Sequence, residues 1–249
     1  MFSSRNRLAL CVAAGAAMLV GGAAYAQSIV VRSIGPSAKL YPPGRSIADN
    51  ATLTLAANDQ ITLLDGRGTR TLKGPGAFSL AAAGQAGDSA GTRFAALVDA
   101  RSTQRARVGA VRGMSAGPRH SPNIWYVDTS RSGAVCVADP SALTLWRADA
   151  SSAGTMTVKG GGQTATVSFG AGQSSAAWPS TLPVVAGAQY TLGWAGSPQA
   201  NSIRFALLGD GAQGIENTAS ALIRNGCDTQ LDLLVNVMSL PETGGGPQG

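Results

Sequence analysis

Short stretches of alternating apolar and polar residues dominate this chain. Ser28-Ile29-Val30-Val31-Arg32 is a β-prone run, Thr52-Leu53-Thr54-Leu55 alternates with period two, and Ile61-Thr62-Leu63-Leu64 adds a further run. A period of two turns one row of side chains toward a core and the other toward water, as in a half-buried strand. Asp65-Gly66-Arg67-Gly68 suits a hairpin turn, residues 69–72 return from it, and Gly74-Pro75-Gly76 stops the run. These segments predict a small antiparallel β domain over 27–88.

The pattern resumes over 123–240. Residues 124–127, 134–137, 142–146, 155–159, 164–169, 189–194 and 203–208 are strand candidates, with Gly160-Gly161-Gly162 as a hairpin loop. Short strands at this spacing predict a β-sandwich or small barrel. The period then lengthens. Ile215, Ala219, Leu222 and Ile223 form one helical stripe, and Leu231, Leu234, Val235 and Met238 form another. Gly226 suits the turn between them, and Asp228 is placed to N-cap the second helix. The expected fold is mainly β: a small antiparallel unit, then a sandwich-like domain closed by two C-terminal helices. Between them, over 89–122, Phe94, Leu97 and Val98 fit the inner face of a short helix leading into a basic linker.

Composition narrows the chemistry. Only 13% of the 249 residues are charged, about half the ~25% of ordinary globular chains, so charge-driven disorder is not expected. His120 is the single histidine, and Glu216 and Glu242 are the only glutamates. Multi-His metal sites and His-centred relays are thereby disfavoured, and neither metal nor cofactor is expected. The 16 Arg against 3 Lys, in a chain rich in Ala and Gly, fit codon bias from a GC-rich genome.

Residues 1–26 read as a secretory signal. Arg5 and Arg7 give a positive start, residues 8–20 are apolar, and Ala24-Tyr25-Ala26 is a small-x-small cleavage site before Gln27. Leu10 before Cys11 does not fit a lipoprotein signal. Cleavage leaves 17 basic and 13 acidic side chains, and the mature protein is expected to be soluble and periplasmic. It also leaves two cysteines, Cys136 and Cys227, which an oxidising compartment would join as one disulfide. Leu240-Pro241-Glu242-Thr243-Gly244 resembles a sortase sorting motif, but the apolar span that follows it in that family has no counterpart in 245–249. Residues 241–249 are therefore expected to form a flexible tail.

The string over 55–78, LAANDQITLLDGRGTRTLKGPGAF, resembles the strand-turn-strand pattern of FecR-like periplasmic β domains. That resemblance implies an interaction or signalling module, with Asp65 and Arg67 of the turn as docking residues. The chain departs from the family's usual layout, in which a cytoplasmic segment precedes a membrane anchor. Signalling would therefore pass through an envelope partner, such as an inner-membrane sensor.

Several further motifs carry candidate chemistry. Arg101 and Arg105 belong to a basic stretch with only Asp99 opposing it, which suits anionic lipid or acidic polysaccharide. No aromatic residues interleave with these arginines, so nucleic acid is not expected as a partner. Gly209-Asp210-Gly211-Ala212-Gln213-Gly214 matches a dinucleotide fingerprint, but too little chain follows to complete a parallel βαβ sheet. Gly113-Met114-Ser115-Ala116-Gly117 matches a nucleophile elbow, yet Pro118 follows at once where a helix is required. Asp128-Thr129-Ser130 resembles the catalytic turn of aspartic proteases with Ser in place of Gly, and that chemistry needs a second carboxylate. Trp125, Trp146, Trp178 and Trp194 are candidates for stacking on sugars, Trp178 foremost because it precedes Pro179 in an expected loop. The expected function is a non-catalytic, exported interaction protein that docks to an envelope partner. A carbohydrate-binding module and a hydrolase using Asp128 or Ser115 are the alternatives.

Overall fold

A computed structural model describes residues 27–81, 89–99, 120–209 and 212–239. The fold is mainly β. In the N-terminal part, β1 (Gln27–Ile34) lies between β2 (Ser46–Ala48) and β4 (Gln60–Asp65), and β5 (Gly68–Lys73) completes the antiparallel sheet in the order β2-β1-β4-β5. Asp65 pairs directly with Gly68, so Gly66 and Arg67 form the expected two-residue turn.

A second ribbon joins β3 (Thr52–Leu55) to β6 (Gly76–Ser79). The run therefore does not stop at Gly74-Pro75-Gly76. It changes partner there, and Gly76 pairs with Leu55 in the new ribbon. Val30, Leu53, Leu55, Ile61, Leu63 and Leu80 fill the core between these strands. Gly35 closes the end of β1 with φ 108°, and a Cβ there would stand 2.5 Å from Asp59 Oδ1, so both backbone and space require glycine.

In the C-terminal part, five strands form one sheet in the order β11-β10-β13-β14-β8: β8 (Gly133–Val137), β10 (Gly154–Gly160), β11 (Gln163–Phe169), β13 (Gln189–Trp194) and β14 (Ala200–Leu207). Gly161 and Gly162 both have positive φ and make the tight β10–β11 turn. A smaller sheet, β7 (Val127–Asp128), β9 (Thr144–Trp146) and β12 (Ser175–Ala177), faces the larger one in the order β12-β9-β7. Val127 and Leu145 of the small sheet share a core with Met156, Phe169, Tyr190, Leu192 and Phe205 of the large one, a sandwich-like arrangement. The strand expected over 124–127 is confined to Val127–Asp128, because Ile124 instead donates its N–H to Leu97 O.

Three helices complete the molecule: α1 (Ser89–Val98), α2 (Ile215–Arg224) and α3 (Asp228–Met238). The expected stripes are inward. Ile215, Ala219 and Leu222 of α2 and Leu231, Leu234, Val235 and Met238 of α3 are buried, and Leu97 of α1 joins them with Phe94 and Val98 partly covered. The same cluster contains Ile29, Val31 and Leu64 from the first sheet and Cys136 from the second. The helical layer thus packs on both β parts. Gly226 takes φ 65°, as its turn position requires, but Cys227 rather than Asp228 is the N-cap of α3, and Asp228 is its first residue. Among the described residues, no helix is long and apolar enough to cross a membrane.

Candidate functional site

The Cys136–Cys227 disulfide forms as expected, with Cα atoms 5.9 Å apart and both residues fully buried. It ties β8, an edge of the larger sheet, to the start of α3. Three residues further along α3, Gln230 continues the join. Its Oε1 accepts the Cys136 N–H at 2.7 Å, and its Nε2 donates to Cys136 O and to Ile124 O, each at 2.8 Å. One buried amide side chain thereby occupies the hydrogen-bonding positions that a further strand would fill beside Cys136.

This join forms the back of a cavity of about 370 Å³ between α3, the loop before β7 and the turn after it. The turn is built by Asp128. Its Oδ1 accepts the backbone N–H of Ser130 at 2.9 Å and the Ser130 hydroxyl at 2.6 Å, and its carbonyl accepts the Arg131 N–H at 3.2 Å. Below it, Thr129 is buried, donates its N–H to Trp146 O at 2.9 Å and accepts Asn201 Nδ2 at 2.9 Å. The cavity is therefore edged by a turn held from two strands, not by a loose loop. His120, Tyr126 and Arg131 line it from the same side, and Thr229, Asp232 and Asn236 line it from α3.

Charges within the cavity are distributed unevenly. Asp232 is ion-paired with Arg32 of β1, and Asp128 is held by Ser130. The exposed side chains of Arg131 and His120 make no hydrogen bond or ion pair with another described residue. Among the described residues, no three His, Cys, Asp or Glu side chains gather where they could hold a metal ion.

Other sequence candidates lie elsewhere. Asp65 is buried at the end of β4. Its Oδ1 accepts the Arg67 N–H at 2.8 Å, while its Oδ2 accepts Arg67 Nη2 at 2.8 Å and the Ser28 hydroxyl at 3.1 Å. Arg67 also reaches Asp49 at 3.4 Å, and Arg70 approaches Asp65 at 3.5 Å. Burial by itself would raise the Asp65 pKa, but the hydrogen bonds and charge of Arg67, with Arg70 behind it, hold it below the usual carboxylate range. Hydrogen bonding to Asp65 raises the Arg67 pKa, and burial lowers that of Arg70. Asp65 and Arg67 thus bind each other and fasten the turn to β1.

Trp178 is also internal. It is 9% exposed, its Nε1 donates to Leu182 O at 2.7 Å, and its ring meets Tyr190 and Phe205 edge-on at 5.3 and 5.1 Å. That packing covers most of the ring, and what stays open borders a second cavity with Pro140, Pro179 and Pro183. Arg101, Arg105 and Ser115 lie outside the described residues. What the sequence did not reveal is the cavity itself. His120 and Asp128 are near in sequence, but Asp232 and Asn236 join them only through the packing of α3. Comparison with family profiles, characterised proteins and solved structures gave no match to this chain.

Proposed function

We propose that this chain is an exported, non-catalytic protein of the periplasm that docks to an envelope partner through its N-terminal, FecR-like β unit. The observation that carries the reading is a pair of large apolar side chains, Ile34 at 64% exposure and Leu40 at 55%, on either side of the single turn at Pro36–Lys39. Exposed apolar groups of this size suit a protein contact. The reading takes Ile34 and Leu40, rather than the mutually bound Asp65 and Arg67, as the docking residues. The compartment is supported by the buried Cys136–Cys227 bond, of a kind that persists where the surroundings oxidise thiols.

The test is photo-crosslinking in living cells from a probe at position 40, with position 224 on the exposed end of α2 as the control. One dominant envelope protein, captured from position 40 and not from 224, is the expected result. Capture of nothing, or the same proteins from both positions, overturns the docking reading. N-terminal sequencing of the exported protein should begin at Gln27, and a retained 1–26 segment would overturn the export reading.

A further inference from the structure

We propose that the cavity between α3 and the Asp128–Arg131 turn binds a small sugar acid, a molecule with one carboxylate and several hydroxyls. The inference is independent of the docking reading, since Ile34 and Leu40 do not line this cavity.

Charge gives the first part of the argument. The cavity is lined by two carboxylates, Asp128 and Asp232, and by one guanidinium, Arg131, and what counts for a ligand is which of these groups is already engaged. The Asp232 carboxylate faces Arg32 across an ion pair, and Asp128 accepts two hydrogen bonds from Ser130. Arg131 is exposed at the cavity edge and has no acidic partner among the described residues. A guanidinium offers two parallel N–H groups that match the two oxygens of a carboxylate. The first turn of α3 contributes Thr229 to the same wall, next to Asp228 in sequence.

Shape and lining give the second part. A cavity of about 370 Å³ lies at the small end of the range for ligand sites, roughly 300 to 1,000 Å³. Its remaining lining mixes hydrogen-bonding groups of Thr229 and Asn236 with the aromatic side chain of Tyr126 and the apolar side chains of Ile124 and Leu233. Hydroxyl and amide groups beside an aromatic ring suit a sugar, which presents O–H groups at its rim and C–H groups on its face. A bare inorganic anion would use only the charge.

The third part is preorganisation. The Asp128 turn is tied to Trp146 and Asn201, and the 120–126 loop is held by Gln230 and by Leu97 O. A site held in place loses less freedom when a ligand enters.

The experiment is calorimetric titration of the disulfide-bonded protein with galacturonate, with galactose as the neutral counterpart and with inorganic phosphate. Galacturonate should bind one to one and about tenfold or more tighter than galactose, the effect of one charge-assisted pair. Arg131→Gln should weaken galacturonate about tenfold and leave galactose unchanged. Its thermal midpoint should match that of the parent, because Arg131 is exposed, and Arg224→Gln should leave binding unaffected. Equal binding of the two sugars, no binding of galacturonate, tighter binding of phosphate, or an unaltered Arg131→Gln variant would each overturn the assignment.

Discussion

The two β regions solve the problem of a small core in different ways. The N-terminal sheet buries charge: Asp65, 4% exposed, is held by Arg67, Arg70 and Ser28 at the end of a hairpin. The C-terminal sandwich buries rings. Trp178, Tyr190 and Phe205 meet one another with centroids 5.0 to 5.3 Å apart, and Phe169 packs on Trp194. Even its buried cation follows that rule, since Arg147 lies over Phe169 and Trp194 while its guanidinium donates to the carbonyls of Ser152, Gly170 and Gln173. A carboxylate-arginine cluster depends on protonation state, whereas stacked rings and a disulfide do not. The first region should therefore respond to acid and the second to reductant.

The largest expected effect is on the second region. Replacing Cys136 and Cys227 with Ser should lower stability by about 4 to 5 kcal/mol in the chain-entropy view of a loop this long, measured by urea unfolding. Phe205→Ala should follow at about 4 kcal/mol, because it removes a fully buried ring with two aromatic neighbours. A loss under about 1 kcal/mol would mean that the sandwich closes over the gap, and the contrast between the regions would weaken.

In the first region, Asp65→Asn should cost about 2 kcal/mol, the scale of a hydrogen bond to a charged group. Its pH signature is distinctive. The folded Asp65 pKa lies below the ordinary 3.8, so its stabilisation is complete above that value and is lost as pH falls through the folded pKa. The parent should lose stability over that acid range more steeply than Asp65→Asn. Parallel curves would break the comparison. The smallest effect should come from Arg32→Gln, since the Arg32–Asp232 pair is about half exposed and surface pairs contribute roughly 0 to 1 kcal/mol. Because the helical layer packs on both sheets, all four changes should shift a single unfolding transition. Two separated transitions would show that the layer does not couple the regions.

Legibility in the sequence followed the range of the interaction. Strands β10, β11 and β13 and helices α2 and α3 are long enough for their periods to stand out, and Gly226 marks the α2–α3 turn by local sterics alone. The disulfide was accessible from cysteine arithmetic. Strands of three residues, such as β2 and β12, carry too few positions to show a period. The parallel pairing of β8 with β14 depends on contacts about 70 residues apart. Gln230 reads as one polar residue on a helix, and only the position of β8 reveals it as a partner for a strand edge. Trp178 illustrates the opposite error. Its Trp-Pro context suggested an exposed loop, but Tyr190 and Phe205 arrive from distant strands to cover it.

The packing of α2 and α3 on β1 also governs when the molecule can be finished. Arg32 meets Asp232 across 200 positions, and Thr69 donates to Val235 O across 166. Ile29 and Val31 of the first strand stay uncovered until α3, the last helix, can pack on them. Throughout that interval the incomplete chain carries an apolar face with nothing to cover it. Its yield should therefore depend on helpers that shield apolar surface before folding is complete, more than its final stability alone would suggest.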